Sequence, residues 1–507
     1  MTPLFVLEVI RHGESKAIRL IELLIAVGLL SFLVRKPSRA LSALVIGLPF
    51  STIALAALLR MGLPASVVRS LGFWKEAMVL GIALAALRRV LNNRSADQSQ
   101  RLKFDRADRF GFAYLALGTL YLLLPGLFVG SGPGAGLSFY ARELGWRSDV
   151  LYVGLFLVVR HCGLTSEEVN RLFRQFVIVA SVVAGVGIFE FFATNTWVRF
   201  VTKTIKLTDY ELRVLRIANP TYQEVYGSVG GHHFPRVGSV LLNYLDAGFY
   251  LVLALAIAVE FFTRGRPGWF VRLGVPLISV ALVFNQGRAA LVAGVIAALL
   301  GLRTQIGRSV AHAERLGFAL AIALVACIPL IASSGLAHHY VASQGSNTSH
   351  ITSTRYGLQA LSTHPMGTGL ATGAGAGQLA SLKGLETTQT FIVSEDGYLN
   401  IGIQLGYAGL ALYVLALLYM VRALRPLPGL NSASSYTGPA FGARNGLIGL
   451  LIAGLVLQPF VSQVVDWPVF ALCGAGAAAL DCSRKAAAKE REAVRPSLEL
   501  ASFARKG

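Results

Sequence analysis

Residues Leu241–Phe262 read LLNYLDAGFYLVLALAIAVEFF, a run whose only charged side chains are Asp246 and Glu260. About 20 consecutive apolar residues in an α-helix span the hydrocarbon core of a bilayer. Similar runs recur along the whole 507-residue chain, which excludes a soluble domain held by a single anchor. Only helices and closed barrels satisfy the backbone in lipid, and these runs are continuous rather than alternating. The sequence therefore predicts membrane-spanning helices.

The composition agrees with a membrane protein. Hydrophobic residues make up 54% of the chain and charged residues 14%, whereas a soluble protein carries about 25% charged residues. The predicted fold is all-α, a polytopic transmembrane helical bundle of about 12 to 14 spans. The candidate spans are about 19–34, 40–59, 71–88, 110–129, 148–160, 175–194, 239–262, 270–285, 288–303, 316–333, 396–421, 445–461 and 465–481.

The net charge of +20 would favour nucleic-acid binding in a soluble protein. Here the Lys and Arg residues concentrate in short loops, which is the signal for the cytoplasmic side of a membrane protein, so we expect no nucleic-acid partner. Counting the predicted spans back from these loops places Met1 on the outer side of the membrane. Arg11, Lys16 and Arg19 instead favour the cytoplasmic side for the N-terminus. Because of this conflict, the predicted number of spans is a range. The basic segments that fall on one side are Arg88–Arg109, Arg160–Arg174, Arg264–Arg272, Arg303–Arg315, Arg422–Arg425 and the tail from Arg484.

Two long loops fall on the opposite, periplasmic side, about 195–238 and 334–395. Loops of this length between spans are usually functional or disordered. Their aromatic residues favour order, and Thr208–Leu215 has the pattern of a short amphipathic helix. The predicted organisation comprises N-terminal transmembrane helices (1–170), a core containing both loops (171–425), C-terminal transmembrane helices (426–483) and a basic cytoplasmic tail (484–507).

Three arginines stand on the side where basic residues are usually depleted, and two of them, Arg236 and Arg288, flank the ends of spans. They are Arg236, Arg288 in the turn Asn285-Gln-Gly-Arg288, and Arg355 in the second loop. A guanidinium donates two parallel hydrogen bonds and stays charged, which suits phosphate. For each arginine alone, the alternative is a side chain that reaches lipid phosphates. Together the three favour an anion-binding site on one face.

Histidines and acidic residues accompany these arginines. The pairs His232-His233 and His338-His339 are adjacent and form no HxH or HxxxH pattern, and the four cysteines share no spacing with histidine, so we expect no metal. The alternatives are a single histidine that acts as general base or as a donor to phosphate, and purely structural hydrogen bonding. Asp246 is expected to pair with an arginine such as Arg236 or Arg288, with direct catalysis as the alternative.

The second loop ends in a glycine-rich segment and an acidic pair. The segment Thr363–Gly377 lacks the GxxxxGK[ST] pattern, so it is not a P-loop. Its glycines are expected to let backbone pack closely or approach a substrate. Glu395 and Asp396 open a predicted span, where helix capping is the simplest role.

Three motifs, taken in order, resemble the O-antigen ligase and Wzy-type polysaccharide polymerase superfamily. The turn at 285–291 (NQGRAAL) is similar to the family's Ser-Arg-Gly-type turn between two spans, with Gln-Gly in place of the usual Ser. The run TRYGLQALSTHPMGTG at 354–369 is similar to its arginine, helix and Pro-x-Gly-x-Gly pattern. The run SEDGYLNIGIQLGYAGL at 394–410 resembles its closing motif. A looser match is the stretch that begins at Arg236. The resemblance covers about residues 170–425.

This resemblance implies a GT-C-like membrane glycosyltransferase in the bacterial inner membrane, with its active site facing the periplasm. The donor would be an undecaprenyl-diphosphate-linked glycan, and the transfer would invert the configuration at the anomeric carbon. The reaction would require neither a metal nor a cofactor. Arg236, Arg288 and Arg355 would bind the donor diphosphate, Arg288 also having a catalytic role. His338 or His339 would act as base. The supporting residues would be Asp246, His364, Glu395 and Asp396.

The family contains two enzyme types between which the sequence offers little choice. A polymerase of O-antigen or exopolysaccharide repeat units is favoured by Gln286, Asp396 and the basic tail, whereas a ligase acting on lipid A-core is favoured by His338-His339. We predict a polymerase, with the ligase as alternative. The partners would be the lipid-linked donor, an acceptor glycan or lipid A-core, and membrane lipids, and a chain-length regulator is a further candidate. The rival class is a transporter of lipid-linked sugars or organic anions, which should show mid-span charges and broken helices. A structural scaffold is a third reading.

Overall fold

The computed structural model describes residues 31–93, 104–130, 133–217, 226–229, 232–264, 268–306, 344–373, 394–425, 437–460 and 462–504. Within these ranges the chain is a bundle of α-helices with one short β-hairpin, so the predicted helical class is confirmed. Six helical stretches are long and apolar enough to cross a membrane. They are Pro37–Arg60, Ala65–Asn92, Ser166–Phe192, Tyr244–Thr263, Gly397–Ala423 and Gln463–Ala487.

Between residues 37 and 161, the described part of the chain contains eight α-helices. They are α1 (Pro37–Gly47), α2 (Ser51–Arg60), α3 (Ala65–Leu71), α4 (Trp74–Asn93), α5 (Arg106–Leu123), α6 (Pro125–Val129), α7 (Phe139–Asp149) and α8 (Leu151–His161). A 3-10 turn, Leu48–Phe50, joins α1 to α2. Helix α5 begins at a capping box in which Asp105 and Asp108 each accept a hydrogen bond from the other's backbone N–H.

The remaining elements begin with α9. The helices are α9 (Ser166–Phe192), α10 (Thr194–Arg199), α11 (Leu207–Arg213), α12 (Tyr244–Arg264), α13 (Trp269–Asn285), α14 (Arg288–Ile306), α15 (Gln344–Thr363), α16 (Gly397–Ala423), α17 (Thr437–Ala453) and α18 (Gln463–Ala504). Strands β1 (Tyr226–Val229) and β2 (His232–Pro235) form an antiparallel hairpin. The predicted amphipathic helix at Thr208–Leu215 is present as α11.

Most predicted spans correspond to helices, with some differences at their ends. Three shorter apolar helices, Leu151–His161, Trp269–Asn285 and Arg288–Leu302, match three further predicted spans. The predicted span 445–461 is shifted, because α17 ends at Ala453 and a turn follows it. The predicted span 316–333 and most of 19–34 lie outside the described residues. The total number of spans therefore stays a prediction.

Helix α12 lies at the centre of the bundle, packed against α9, α13, α14 and α17. In its apolar window 78% of the residues are buried, against 33% in Pro37–Arg60, so the N-terminal helices form the outer part of the bundle. Glycines on α17 let it approach α12 closely. A Cβ on Gly442 would stand 2.6 Å from the Ile257 Cα, and one on Gly446 would stand 2.8 Å from a Leu253 methyl group.

Charged side chains join the helices at one end of the bundle, where α8 and α16 end and α5 begins. The Arg160 guanidinium donates to Asp105 at 2.9 and 2.8 Å and to Asp481 at 3.0 and 2.9 Å. It also donates to the fully buried Asp108 at 3.2 Å. Described residues of the predicted basic loops lie at this end, which we call the basic end. The turn between α13 and α14 lies at the opposite end.

Candidate functional site

The turn between α13 and α14 is fixed to the segment that precedes α12. Asn285 is fully buried, and its side-chain amide donates to the Val237 carbonyl at 2.8 Å and the Tyr244 carbonyl at 2.6 Å. The Gln286 side chain donates to the Pro235 carbonyl at 2.7 Å. Gln286 itself adopts a left-handed conformation with φ of 60°, which ends α13. The two segments therefore form one unit, which we call the arginine turn (Pro235–Tyr244 with Asn285–Arg288).

Two of the three predicted arginines belong to the arginine turn. The Arg236 guanidinium lies over the Tyr244 ring, 4.7 Å from its centroid, a distance at which a cation–π attraction holds it. The Arg236 Nε is buried and has no hydrogen-bond partner among the described residues. Arg288 is half-buried and is the first residue of α14, where the positive end of the helix dipole adds to its charge. This end of the bundle therefore presents two guanidinium groups from adjacent backbone segments.

Close backbone packing keeps the arginine turn in place. A Cβ on Gly248 would stand 2.6 Å from the Asn285 Oδ1, and a Cβ on Gly287 would stand 2.7 Å from it. On the other side, the Ser239 N–H donates to the Glu190 carboxylate at 2.5 Å and the Ser239 hydroxyl donates to the Val183 carbonyl at 2.6 Å. The turn is therefore anchored to α9, α12 and α13 together.

Arg355 stands on a different element from the other two arginines. Its side chain is exposed on α15, which packs against α16. The Glu395 backbone N–H donates to the Ser353 hydroxyl at 2.8 Å, so the face of α15 that carries Ser353 contacts the start of α16. The structure thus places Arg236 and Arg288 on two segments joined by hydrogen bonds, and it places Arg355 on the exposed side of α15, two residues after Ser353.

The predicted supporting residues take local structural roles. Asp396 accepts hydrogen bonds from the Tyr398 and Leu399 backbone N–H groups at 2.9 and 3.1 Å, which confirms it as the cap of α16. Glu395 is half-buried beside it. Asp246 forms a side-chain hydrogen bond with Ser462, so the partner shown for it is a serine rather than the predicted arginine.

The histidines are only partly described. His364 follows α15 and is half-buried, and its backbone N–H donates to the Ala360 carbonyl at 2.9 Å. His232 and His233 lie in strand β2. His338 and His339 lie outside the described residues, and their role as base stays a prediction.

The glycine-rich segment packs against a break in α16. Gly406 has φ of 68° and ψ of −172°, which interrupts the helix and leaves carbonyls of the preceding turn free. The Thr368 N–H donates to the Ile403 carbonyl at 2.7 Å, and the Gly369 N–H donates to the Gln404 carbonyl at 3.0 Å. In return, the Tyr407 N–H donates to the Pro365 carbonyl at 3.0 Å. The predicted close backbone approach is confirmed for this part of the segment.

A buried polar group lies beside this break and was not recognised from the sequence. The side-chain NH2 group of Gln404 donates to the Asp149 carboxylate at 3.0 Å, and the side-chain carbonyl of Gln404 accepts from the Ala371 N–H at 2.8 Å. Asn400, one turn earlier, lines a narrow cavity with Asp149, and its Oδ1 has no partner among the described residues. The volume open to water is about 10 Å³, room for a single water molecule. The polar residues inside the apolar run 397–421 were the only sequence signal for this group.

The bundle also buries several acidic side chains. Glu190, Glu260 and Asp466 are fully buried within candidate spans. Both carboxylate oxygens of Asp466 lack a hydrogen-bond partner among the described residues. Burying such groups is expensive, so their presence bears on function.

The first predicted outer loop contributes one further titratable group. Glu211 stands on α11, and its Oε2 is buried without a hydrogen-bond partner among the described residues. Burial raises the pKa of Glu211 to about 7. This carboxyl therefore changes its charge near neutral pH.

The chain matches no protein-family model and no curated protein sequence. The resemblance to polysaccharide polymerases and ligases therefore depends on the quoted motifs, and the arginine turn is the geometry that bears on it.

Proposed function

We propose that this protein is a membrane glycosyltransferase that moves a glycan from a polyprenyl-diphosphate-linked donor to a sugar hydroxyl, most consistent with a polymerase of polysaccharide repeat units. The observation that carries the proposal is the arginine turn, in which Asn285 and Gln286 hold Arg236 and Arg288 at the end opposite the basic end. Basic loops mark the cytoplasmic side of a membrane protein, so the end that carries the arginine turn would face the periplasm. Lipid-linked glycans are assembled there without nucleotide sugars.

The chemistry requires cations at the leaving group. As the anomeric C–O bond breaks, negative charge develops on the diphosphate of the donor lipid. Preorganised guanidinium groups stabilise this charge by several kcal/mol when water is excluded. The Nε of Arg236 is buried without a hydrogen-bond partner in the described part of the chain, and we propose it as a donor to such an oxygen.

The acceptor hydroxyl attacks the anomeric carbon from the opposite side, so the configuration at that carbon inverts. Its proton passes to a general base, for which His338 or His339 is proposed from the family resemblance. Arg355, on α15, is proposed as a further contact to the donor diphosphate, with Asp396 fixing the neighbouring start of α16.

The test is substitution of the arginines in cells. Arg288→Ala and Arg355→Ala are expected to shorten or abolish the polymer and to accumulate the lipid-linked repeat unit. Arg60→Ala is the matched control, because Arg60 is exposed at the last turn of α2. Unchanged polymer length in both variants, at equal protein levels, contradicts the role of these arginines in binding the diphosphate.

The ligase alternative shares the donor and differs in the acceptor. Supplying the purified protein with a defined lipid-linked repeat, with and without lipid A-core, separates the two activities. Products that lengthen without lipid A-core support the polymerase, whereas a single transfer that requires lipid A-core supports the ligase.

A transporter of lipid-linked sugars or organic anions is the second candidate class, and two observations favour it. Helix α16 is broken at Gly406 inside a candidate span, and buried acidic side chains lie in neighbouring helices. The location of the accumulated intermediate in a deletion strain distinguishes the classes. Repeat units accumulating outside the inner membrane support transfer, and repeat units accumulating inside support transport.

A further inference from the structure

A second pocket lies at the basic end, far from the arginine turn along the helices. It occupies about 320 Å³ where α5 begins, α16 ends and α18 passes. We call it the basic-end pocket, and its lining residues are Asp105, Arg106, Ala107, Tyr419, Arg422, Ala423 and Arg484. The volume is within the range of small-ligand sites.

The charge of this pocket is positive. The carboxylate of Asp105 is paired with Arg160, which donates two hydrogen bonds to it at 2.9 and 2.8 Å. Burial alone would raise the pKa of Asp105, but the hydrogen bonds and charge of Arg160 outweigh burial and hold that pKa below its ordinary value. Arg484 pairs with Asp481 at 2.9 Å. The single carboxylate in the lining is therefore paired with Arg160, which it shares with Asp108 and Asp481, whereas the lining itself carries three arginines.

Two arginines of the pocket keep their charge uncompensated. Among the described residues no carboxylate pairs with Arg106 or Arg422. Arg106 instead donates to the Tyr419 hydroxyl at 3.2 Å, with its guanidinium 5.8 Å from the ring centroid. The Arg422 side chain is exposed. Two guanidinium forks that face one pocket match the oxygens of a phosphate group.

The pocket continues into an apolar surface along the same two helices. Phe110 of α5 stacks on Tyr419 of α16, with centroids 5.1 Å apart, so these helices are adjacent. Leu418 is 56% exposed and precedes Arg422 by four residues, which places the two on one face of α16. On α5, Leu120 is 42% exposed and lies about four turns beyond Arg106 on the same side of the helix. The pocket therefore opens where a candidate membrane span ends, with apolar side chains leading away from it along both helices.

We propose that the basic-end pocket binds the phosphate headgroup of an anionic phospholipid, whose acyl chains lie along the exposed apolar side chains of α5 and α16. Basic pockets between membrane helices on the cytoplasmic side recognise such headgroups. The apolar surface below the arginines distinguishes a lipid from a soluble phosphate, which would gain nothing from it. This inference is independent of the glycosyltransferase proposal.

The test measures binding of phosphatidylglycerol to the delipidated full-length protein by native mass spectrometry. Arg422→Gln removes an exposed side chain that has no hydrogen bond among the described residues, so folding is expected to be unaffected. We expect this variant to bind phosphatidylglycerol about fivefold more weakly and Arg106→Gln/Arg422→Gln more weakly still. Arg272→Gln is the matched control, an exposed arginine on α13 outside the pocket, and its binding should stay within about twofold of the wild type.

Three outcomes overturn the inference. Equal weakening in Arg272→Gln and in the pocket variants shows general attraction to a basic surface. Equal binding of phosphatidylcholine shows that the headgroup charge is irrelevant. Displacement of the lipid by millimolar inorganic phosphate, with the same dependence on Arg422, shows a site for a soluble anion. Selective loss in the pocket variants, resistant to inorganic phosphate, supports the lipid site.

Discussion

Asn285 is the residue on which the arginine turn depends most. One buried amide satisfies the carbonyls of Val237 and Tyr244, which lie at the two ends of the segment that follows Arg236. The sequence signal for Arg236 and Arg288 is that each stands alone at the end of an apolar run. The Asn285 contacts could not be predicted from the sequence, since its partners are 48 and 41 residues away. Likewise, Asp149 and Gln404 meet across 255 residues, and no local pattern records such a pair.

Replacing Asn285 tests this residue-scale account. Asn285→Ala leaves two buried carbonyls without a donor and should lower the free energy of unfolding by about 2–4 kcal/mol. Ser279→Ala on the same helix loses only a local bond to the Val275 carbonyl and should cost less than about 0.5 kcal/mol. Denaturant unfolding in mixed micelles measures both. Equal stability of the two variants would show that the arginine turn does not depend on Asn285.

At the scale of elements, the break in α16 is the feature that joins distant parts of the chain. The sequence predicted the helix over 396–421, and the structure confirms it as Gly397–Ala423. It did not predict the interruption, because glycine in an apolar run is compatible with a straight helix. The break becomes stable only when the segment after α15 supplies donors to the freed carbonyls of Ile403 and Gln404. Such tertiary compensation has no local sequence signal.

Gly406→Ala should disrupt this junction. A Cβ at this position would collide with the Pro365 carbonyl and would require φ of 68° from a residue that disfavours it. We expect a loss of about 1–3 kcal/mol and faster proteolysis after α15. Gly185→Ala is the control, because its Cβ would meet nothing closer than 3.9 Å inside α9, and it should be neutral or slightly stabilising. Wild-type protease resistance in Gly406→Ala would contradict the proposed role of the break.

Helix α11 is expected to respond to pH through Glu211. Because burial raises the pKa of this carboxyl to about 7, the folded loop favours the protonated form, and its stability falls as pH rises from the unfolded pKa towards 7. Glu211→Gln should remove this dependence and should unfold at a higher temperature than the wild type at pH 8. At pH 4, where the carboxyl is protonated in both states, the two proteins should be similar. A stability difference that does not change with pH would contradict this assignment.

At the scale of the whole molecule, the helix directions separate a basic end from the end that carries the arginine turn. Apolar runs and basic loops are strong signals because the bilayer constrains every span in the same way, so the helical class and the six candidate membrane-spanning helices could be predicted. Burial of Glu190 and Asp466 could not, since it depends on which helices surround α9 and α18.

Orientation is tested by labelling single cysteines in intact cells. Cys482 is exposed on α18 near the basic end, and Arg60 is exposed at the other end. With the remaining cysteines replaced by serine, a membrane-impermeant maleimide should label Arg60→Cys in intact spheroplasts and Cys482 only after permeabilisation. The reverse pattern would place the arginine turn in the cytoplasm and would exclude a periplasmic reaction.

The most direct test of the central claim is transfer by the purified protein in proteoliposomes, with a defined undecaprenyl-diphosphate-linked repeat unit as the only glycan. The account predicts longer glycans and stoichiometric release of undecaprenyl diphosphate in the wild type and in Arg60→Ala. It predicts at least a hundredfold slower release in Arg288→Ala, about the loss of one transition-state donor. Release at the wild-type rate in Arg288→Ala, or no transfer by a folded wild-type protein to any sugar acceptor, would contradict it.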